Sequence, residues 1–209
     1  EQRLVHHVVA VVECERVQLM VVPRHGPAAE SSLVASDRQS IPDLIQHTAR
    51  ASATKLVVLA APEAELETLR DRVRTGLDVS VSLAAIGLDG LDVRRLAHEI
   101  VVQTATHAAT RTAELLGLWR FHAAHGEAAE GLDNVATAVR DRQAALVLVS
   151  ERDGADDGPG DGDRVACHAL ADEIPVHVVP TVGMQMAQSA GVILADRADA
   201  SGLAELLER

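Results

Sequence analysis

The stretch KLVVLAAPEAELETLRDRVR, residues 55–74, decides the fold of the first half of the chain. After Lys55, residues 56–61 are apolar without interruption, which predicts a buried strand over residues 55–61, and Pro62 then opens a helix with acidic residues in its first turn. The run VSVSLAAI at residues 79–86 predicts another strand. Strands that alternate with helices indicate an α/β domain with a mostly parallel sheet.

The residues before this stretch predict a hairpin, a loop and a helix. Two β-branched runs, at residues 4–13 and 17–22, are separated by a three-residue link, which is typical of a hairpin. Residues 23–39 are polar and contain Pro and Gly, as loops do. Ser40 caps a helix that we expect to run from Ile41 to about residue 51.

A long helical pattern occupies the middle of the chain, from residue 92 to about residue 125, and only Gly117 interrupts it. Such a length far exceeds the average of about 12 residues, so the helix is predicted to join two domains. The second half then repeats the alternation of helix and strand. The sequence therefore predicts two α/β domains, residues 1–108 and 109–209, with mixed, mostly parallel sheets joined by the long helix.

Composition excludes several classes of protein. The 209 residues include 31 Asp and Glu against 19 Lys and Arg, a net charge of −12, which argues against DNA as a partner and against a broad nucleic-acid-coating surface. One Trp, one Phe and no Tyr exclude an aromatic platform for single-stranded RNA. Cys14 and Cys167 have no partner spacing, which predicts a reducing cytoplasm. No apolar run approaches the roughly 18 residues of a membrane span, so no membrane partner is expected.

Few residues suggest chemistry on their own. His122 and His125 are three residues apart on one helix face and can bind a divalent metal, or they can simply favour the negative end of the helix dipole. No Gly-x-Ser-x-Gly nucleophile motif is present, and no cofactor-binding motif stands out. We therefore expect no cofactor, and the residues alone support no enzyme class.

Residues 131–139 (GLDNVATAV), followed by the buried run AALVLV at residues 144–149, resemble a motif of the archaeo-eukaryotic peptide-chain release factor and Pelota superfamily. In that superfamily such a helix precedes the first buried strand of the C-terminal domain, after a long helix of the central domain. Residues 175–195 resemble the end of the same domain, and residues 5–22 resemble the hairpin that opens the central domain. The resemblance is to the bacterial branch, which includes Balon-like ribosome hibernation factors and mycobacterial relatives, and the arginine-rich composition is of actinobacterial type.

The resemblance also indicates what this chain lacks. Release factors carry Gly-Gly-Gln on a loop of the central domain, but the matching residues 23–41 contain no such triplet. Gln39 has no flanking glycine that lets the backbone approach an ester closely. The resemblance therefore implies a protein without hydrolase activity, and the enzymatic alternative is a peptidyl-tRNA hydrolase that uses Gln39 or a histidine of residues 23–41.

The resemblance implies the ribosome, a translational GTPase, or both as partners. The function that it implies is non-enzymatic: a translation-associated or ribosome hibernation factor that acts by occupying a site. A third interpretation is an acidic, self-associating stress protein without ribosome contact, with a homodimer formed through the Ala-rich long helix. The arginines of the long helix are either phosphate contacts or ordinary solvated charges. The candidate ribosome or RNA contacts are Arg24, His25, Arg38, Arg94, Arg95, Arg111 and Arg120.

Overall fold

The computed structural model of the protein describes residues 6–13, 16–23, 29–34, 40–150, 161–179 and 190–194. The chain divides into two compact units, and the division falls inside one helix, between Thr110 and Arg111. Each unit contains a mixed sheet flanked by helices, which is the predicted α/β class.

The first unit contains a five-stranded sheet with the strand order β3-β2-β1-β4-β5. The β1–β4 and β4–β5 pairs are parallel, as the alternation of strand and helix predicts, whereas β1–β2 and β2–β3 are antiparallel. Its elements are β1 (His7–Glu13), β2 (Arg16–Val22), β3 (Ala29–Val34), α1 (Ile41–Ala51), β4 (Leu56–Ala61), α2 (Glu63–Gly76), β5 (Ser82–Gly87) and the first part of α3 (Val93–Ala124).

The hairpin of β1 and β2 is confirmed, but the loop predicted for residues 23–39 is wrong in part. Residues 29–34 form the edge strand β3, which pairs antiparallel with β2 from Arg16↔Val34 to Val21↔Ala29. The sequence of this strand, AESSLV, has little β-branched character. Its conformation therefore depends on the hydrogen bonds that β2 offers rather than on its own residues.

Both faces of the first sheet are covered by helices. On one face, Val8, Val57 and Leu59 pack with residues of α1 and α2 in one core. On the other face, the buried Val9 and Val58 pack against Leu96 and Ile100 of α3. The central strands β1 and β4 have nearly continuous apolar sequences because helices bury them on both sides.

Two side chains of α1 donate hydrogen bonds to carbonyl groups near the C-terminal end of α2. The Gln46 amide is buried, and its Nε2 donates to the carbonyl oxygens of Arg72 at 3.0 Å and Val73 at 3.1 Å. Arg50 Nη2 donates to the Gly76 carbonyl oxygen at 2.7 Å. The last four carbonyls of a helix have no partner within it, so the bonds to Val73 and Gly76 satisfy groups that α2 itself leaves open.

The second unit contains a four-stranded sheet with the order β6-β9-β7-β8. Only β7–β8 is parallel among the described pairs, and β6–β9 and β7–β9 are antiparallel. The three-residue strand β6 was not predicted, since so short a run carries no periodicity. The elements after α3 are β6 (Ala128–Glu130), α4 (Leu132–Arg140), β7 (Ala144–Ser150), α5 (Asp161–Ala171), β8 (Val176–Val179) and β9 (Ala190–Leu194).

Gly131 begins α4 in the stretch that carries the superfamily motif. Its φ of 90° lies in a region that residues with a side chain rarely adopt, and its N–H donates to the Ala190 carbonyl oxygen at 3.0 Å. Val135, Ala138 and Val139 of this helix are buried against the second sheet. The motif residues therefore have two structural roles. Gly131 adopts a positive φ, and the apolar positions form the face of α4 that packs on the sheet.

Both faces of the second sheet are covered as well. The α4 and α5 side is lined by residues such as Val147 and Val192. On the opposite side, Leu115 and Trp119 of α3 pack against Leu146 and Leu148 of β7 and Ile193 of β9. The second part of α3 therefore covers one face of this sheet.

The contact of Gln46 with α2 predicts opposite effects for two helical glycines. A Cβ at Gly76 would overlap the Gln46 amide, whereas no described atom lies within 4 Å of a Cβ at Gly117. We expect Gly76→Ala to lower the free energy of unfolding by about 1 kcal/mol, because two buried hydrogen bonds are lost. Gly117→Ala should raise it by about 0.5–1 kcal/mol through helix propensity.

Urea denaturation followed by circular dichroism measures both changes. In a Gln46→Ala background, the amide that the new methyl displaces is absent, so Gly76→Ala should no longer destabilise the protein. Equal stabilisation by the two glycine substitutions in the wild-type background would contradict this packing.

Candidate nucleic-acid interface

The helix α3 differs in charge from the rest of the chain. Its residues, Val93–Ala124, include four arginines and two glutamates, although the whole chain has a net charge of −12. Since phosphate contacts need cationic side chains, α3 is the element on which a contact with nucleic acid is electrostatically favoured.

Three exposed residues give the first turns of α3 their basic surface: Arg94, Arg95 and His98. Asp92 Oδ1 accepts a hydrogen bond of 2.8 Å from the backbone N–H of Arg95, so this carboxylate caps the helix. Within the part of the chain that the structure describes, neither arginine side chain forms an ion pair. They are therefore available to an anionic partner.

The two arginines farther along α3 differ from each other. The Arg111 side chain is 18% exposed and pairs with Glu114 at 3.5 Å, so part of its charge is neutralised. Arg120 is exposed and forms no ion pair with another described residue. Of these two predicted contacts, Arg120 has the better access to a phosphate.

His122 lies inside the second unit. It is 3% exposed, and its Nδ1–H donates to Glu127 Oε2 at 2.8 Å. The backbone N–H of Glu127 donates to the carbonyl oxygen of His122 at 2.8 Å, and the carbonyl oxygen of Glu127 accepts from Leu194 N–H of β9 at 2.9 Å. Glu127 therefore connects the end of α3 to β9, an inner strand of the second sheet.

His125 is exposed and directly follows the last residue of α3. Its Nδ1–H donates to the Phe121 carbonyl oxygen at 2.7 Å. No group of three or more His, Cys, Asp or Glu residues that could hold a metal occurs in the described parts of the chain. The two histidines therefore differ in their surroundings: His122 is buried and bonded to the Glu127 side chain, whereas His125 is exposed and bonded to the backbone of α3.

Phe121 is a feature that the sequence analysis missed. It is 58% exposed, and its ring lies 4.4 Å from the ring of His125 between centroids, at an interplanar angle of 40°. A signal was present in the sequence, since Phe121 is the single Phe of the chain and follows Trp119 by two positions. Residues two apart on a helix point in different directions, so only one of these aromatics can face the sheet.

A cavity of about 280 Å³ lies between α4 and α5. Arg140, Arg142, His168 and Asp172 are among the residues that line it. Arg140 and His168 are in the last turns of their helices, where cationic side chains compensate the helix dipole. The helix dipoles therefore account for the positions of Arg140 and His168 at this cavity.

Four predicted site residues lie outside the described residues. They are the candidate contacts and the candidate catalytic glutamine of the interval that follows β2, namely Arg24, His25, Arg38 and Gln39.

Two solved structures share the fold over most of this chain. S. cerevisiae Dom34, described as a translation termination-like factor that is involved in RNA quality control pathways and interacts with Hbs1, matches with a TM-score of 0.59 and 10% identity. One chain of a structure of ribosome-bound archaeal Pelota and ABCE1 matches with a TM-score of 0.66 and 12% identity. The matches cover 91% and 92% of this chain. The chain has the Dom34/Pelota fold.

The present chain spans less than two thirds of the length of these two proteins: 63% of Dom34 and 62% of the archaeal chain. No protein-family model matches the sequence, and no curated protein matches it. No described helix is both long enough and apolar enough to cross a membrane.

The pair of His122 and Glu127 predicts a local loss of stability. We expect His122→Ala to lower the free energy of unfolding by about 2 kcal/mol, because it empties a buried site and leaves the Glu127 carboxylate without its donor. His98→Ala, at an exposed position of the same helix, should change it by less than about 0.5 kcal/mol. Urea denaturation followed by Trp119 fluorescence measures both. Equal effects of the two substitutions would show that the pair contributes nothing.

Proposed function

We propose that this protein is a translation-associated factor that binds the ribosome and acts by occupying a site there, without bond chemistry. The observation that carries the proposal is the fold, which extends through both units and which Dom34 and a chain of ribosome-bound archaeal Pelota share. Because fold does not by itself determine function, the surface of α3 supplies the second argument.

That surface has the charge that ribosomal RNA requires. The exposed Arg94, Arg95 and Arg120 are placed on a helix with excess positive charge in an otherwise acidic chain. The ribosome presents a dense array of phosphates, so a local basic helix can bind while the acidic remainder repels non-specific contacts. These arginines are the contacts that we propose.

The finer assignment follows from the resemblance of the sequence. Residues 1–108 would correspond to the central domain of release factors and residues 109–209 to their C-terminal domain, which commonly binds a translational GTPase. The interval of residues 23–41 has no Gly-Gly-Gln triplet, which supports occupancy without ester hydrolysis. We propose a role of the hibernation type in the cytoplasm, in the bacterial branch of the superfamily.

The proposal predicts that the protein sediments with 70S ribosomes in a sucrose gradient and that the first turns of α3 contribute. Arg94→Gln combined with Arg95→Gln should weaken binding about tenfold at moderate salt. The slope of log K against log salt should fall by about 1.5, since two phosphate contacts are lost. The matched control is Arg70→Gln on α2, where the arginine pairs with Asp71 and Glu67, and this change should leave binding unaltered.

Three results would contradict the proposal in different ways. A protein that stays at the top of the gradient at every salt concentration does not occupy ribosomes. A stable oligomer in light scattering, with no ribosome contact, would favour the self-associating stress protein. If the protein hydrolyses an aminoacyl ester and Gln39→Ala abolishes that activity, the non-enzymatic part of the proposal is wrong and the hydrolase alternative is favoured.

A further inference from the structure

Phe121 lies on the side of α3 that does not face the second sheet. Trp119, two residues earlier, is 9% exposed and packs against that sheet, whereas Phe121 is 58% exposed. An exposed aromatic ring leaves apolar surface in water that the fold does not use. In a chain with one Trp, one Phe and no Tyr, half of the aromatic residues are thus outside the core.

The Phe121 ring is held in place by His125. The two ring centroids are 4.4 Å apart, and His125 Nδ1–H donates to the Phe121 carbonyl oxygen at 2.7 Å. Because this nitrogen carries the proton, the Nε2 of the neutral imidazole is left as an acceptor. The two rings form an ordered aromatic surface rather than two independent side chains.

The helix surface beside these rings is open. Gly117 precedes Phe121 by one turn and so shares its face, and no described atom lies within 4 Å of a Cβ built on it. A flat group can therefore approach the backbone of α3 next to the Phe121 ring. Ala113 and Ala124 are exposed on the same helix, so small residues also flank this opening.

The charges around the rings favour an anionic ligand. Arg120 is adjacent to Phe121, exposed and without an ion pair among the described residues. The two nearest carboxylates on the chain are engaged, Glu114 with Arg111 and Glu127 with His122. Arg120 thus supplies a cation with no ion pair among the described residues, one position before Phe121 on α3 and about 100° around the helix axis from it.

We propose that Phe121 and His125 stack one unpaired base of an RNA and that Arg120 contacts its phosphate. The inference rests on the proposed function and names RNA as the part of the ribosome that this surface touches. The composition excludes a platform for successive bases, but one exposed aromatic ring is sufficient for one base. A docked protein would need a wider apolar patch than a single ring surrounded by Gly, Ala and Arg provides.

The test measures binding of the full chain to a fluorescein-labelled 12-nucleotide oligo(A) at 50 mM salt by fluorescence anisotropy. Phe121→Leu keeps the apolar side chain and removes the aromatic face, so the Kd should rise about 5- to 100-fold. Phe121→Trp should bind as the wild type does. Arg120→Gln should reduce the salt slope by about 0.7, the value for one phosphate of a single strand.

The matched control is Leu170→Ala on α5. Leu170 is 61% exposed in the same unit, almost the same as Phe121, but the residues three and four positions before it on α5 are Cys167 and Ala166, neither aromatic nor arginine. This substitution should not change the Kd. Circular dichroism of each variant shows whether it is folded.

The outcomes separate this inference from the proposed function. The inference is wrong if the wild type does not bind the oligonucleotide, or if Phe121→Leu binds it as well as the wild type does. It is also wrong if Phe121→Leu weakens sedimentation with ribosomes and leaves oligonucleotide binding unchanged, since the ring then contacts a protein. If the oligonucleotide binds in a Phe121-dependent way but the chain does not sediment with 70S ribosomes, the base-stacking surface is supported, the RNA that it binds is not ribosomal, and the proposed function fails.

Discussion

The structure depends on α3 covering one apolar face of each sheet. In the first unit Leu96 and Ile100 pack against the face of the sheet opposite α1 and α2. In the second unit Leu115, Leu116 and Trp119 do the same on the face opposite α4 and α5. A sheet with apolar residues on both faces is stable only if both are buried. The remaining surface of α3 is free of this constraint, and Arg94, Arg95, Arg120 and Phe121 are found there.

The sequence predicted the elements whose residues carry a strong local signal. The hairpin of β1 and β2, the β4–α2–β5 unit and α3 follow from runs and periods that tertiary contacts only reinforce. The strands β3 and β6 were missed because each forms through pairing with a neighbour, β2 and β9, that lies elsewhere in the chain. Gly131 was singled out by the motif, and its positive φ supplies the physical reason.

The candidate site was predicted less completely than the fold. The arginines of α3 were visible as charges, but only the structure separates the exposed Arg120 from Arg111, which pairs with Glu114. His122 and His125 have a helical spacing, yet their partners differ. His122 is buried and bonded to Glu127, which follows the turn after α3, and His125 is bonded to the Phe121 carbonyl oxygen. Glu127 reaches His122 only because of the path that the chain takes after α3. The spacing of residues within the helix does not predict that path. Phe121 was overlooked because the sequence analysis considered only the number of aromatic residues in the chain. That number does not show whether an individual ring is exposed.

The central claim is that the protein occupies the ribosome through a fold that it shares with Dom34, with α3 providing a basic face. This proposal rests on the shared fold and on a helix with excess positive charge in an acidic chain. The most direct test is a cryo-electron microscopy reconstruction of 70S ribosomes incubated with the full chain. The account predicts density for both α/β units on the ribosome, with α3 against ribosomal RNA. Ribosomes without such density at saturating protein concentration would contradict it.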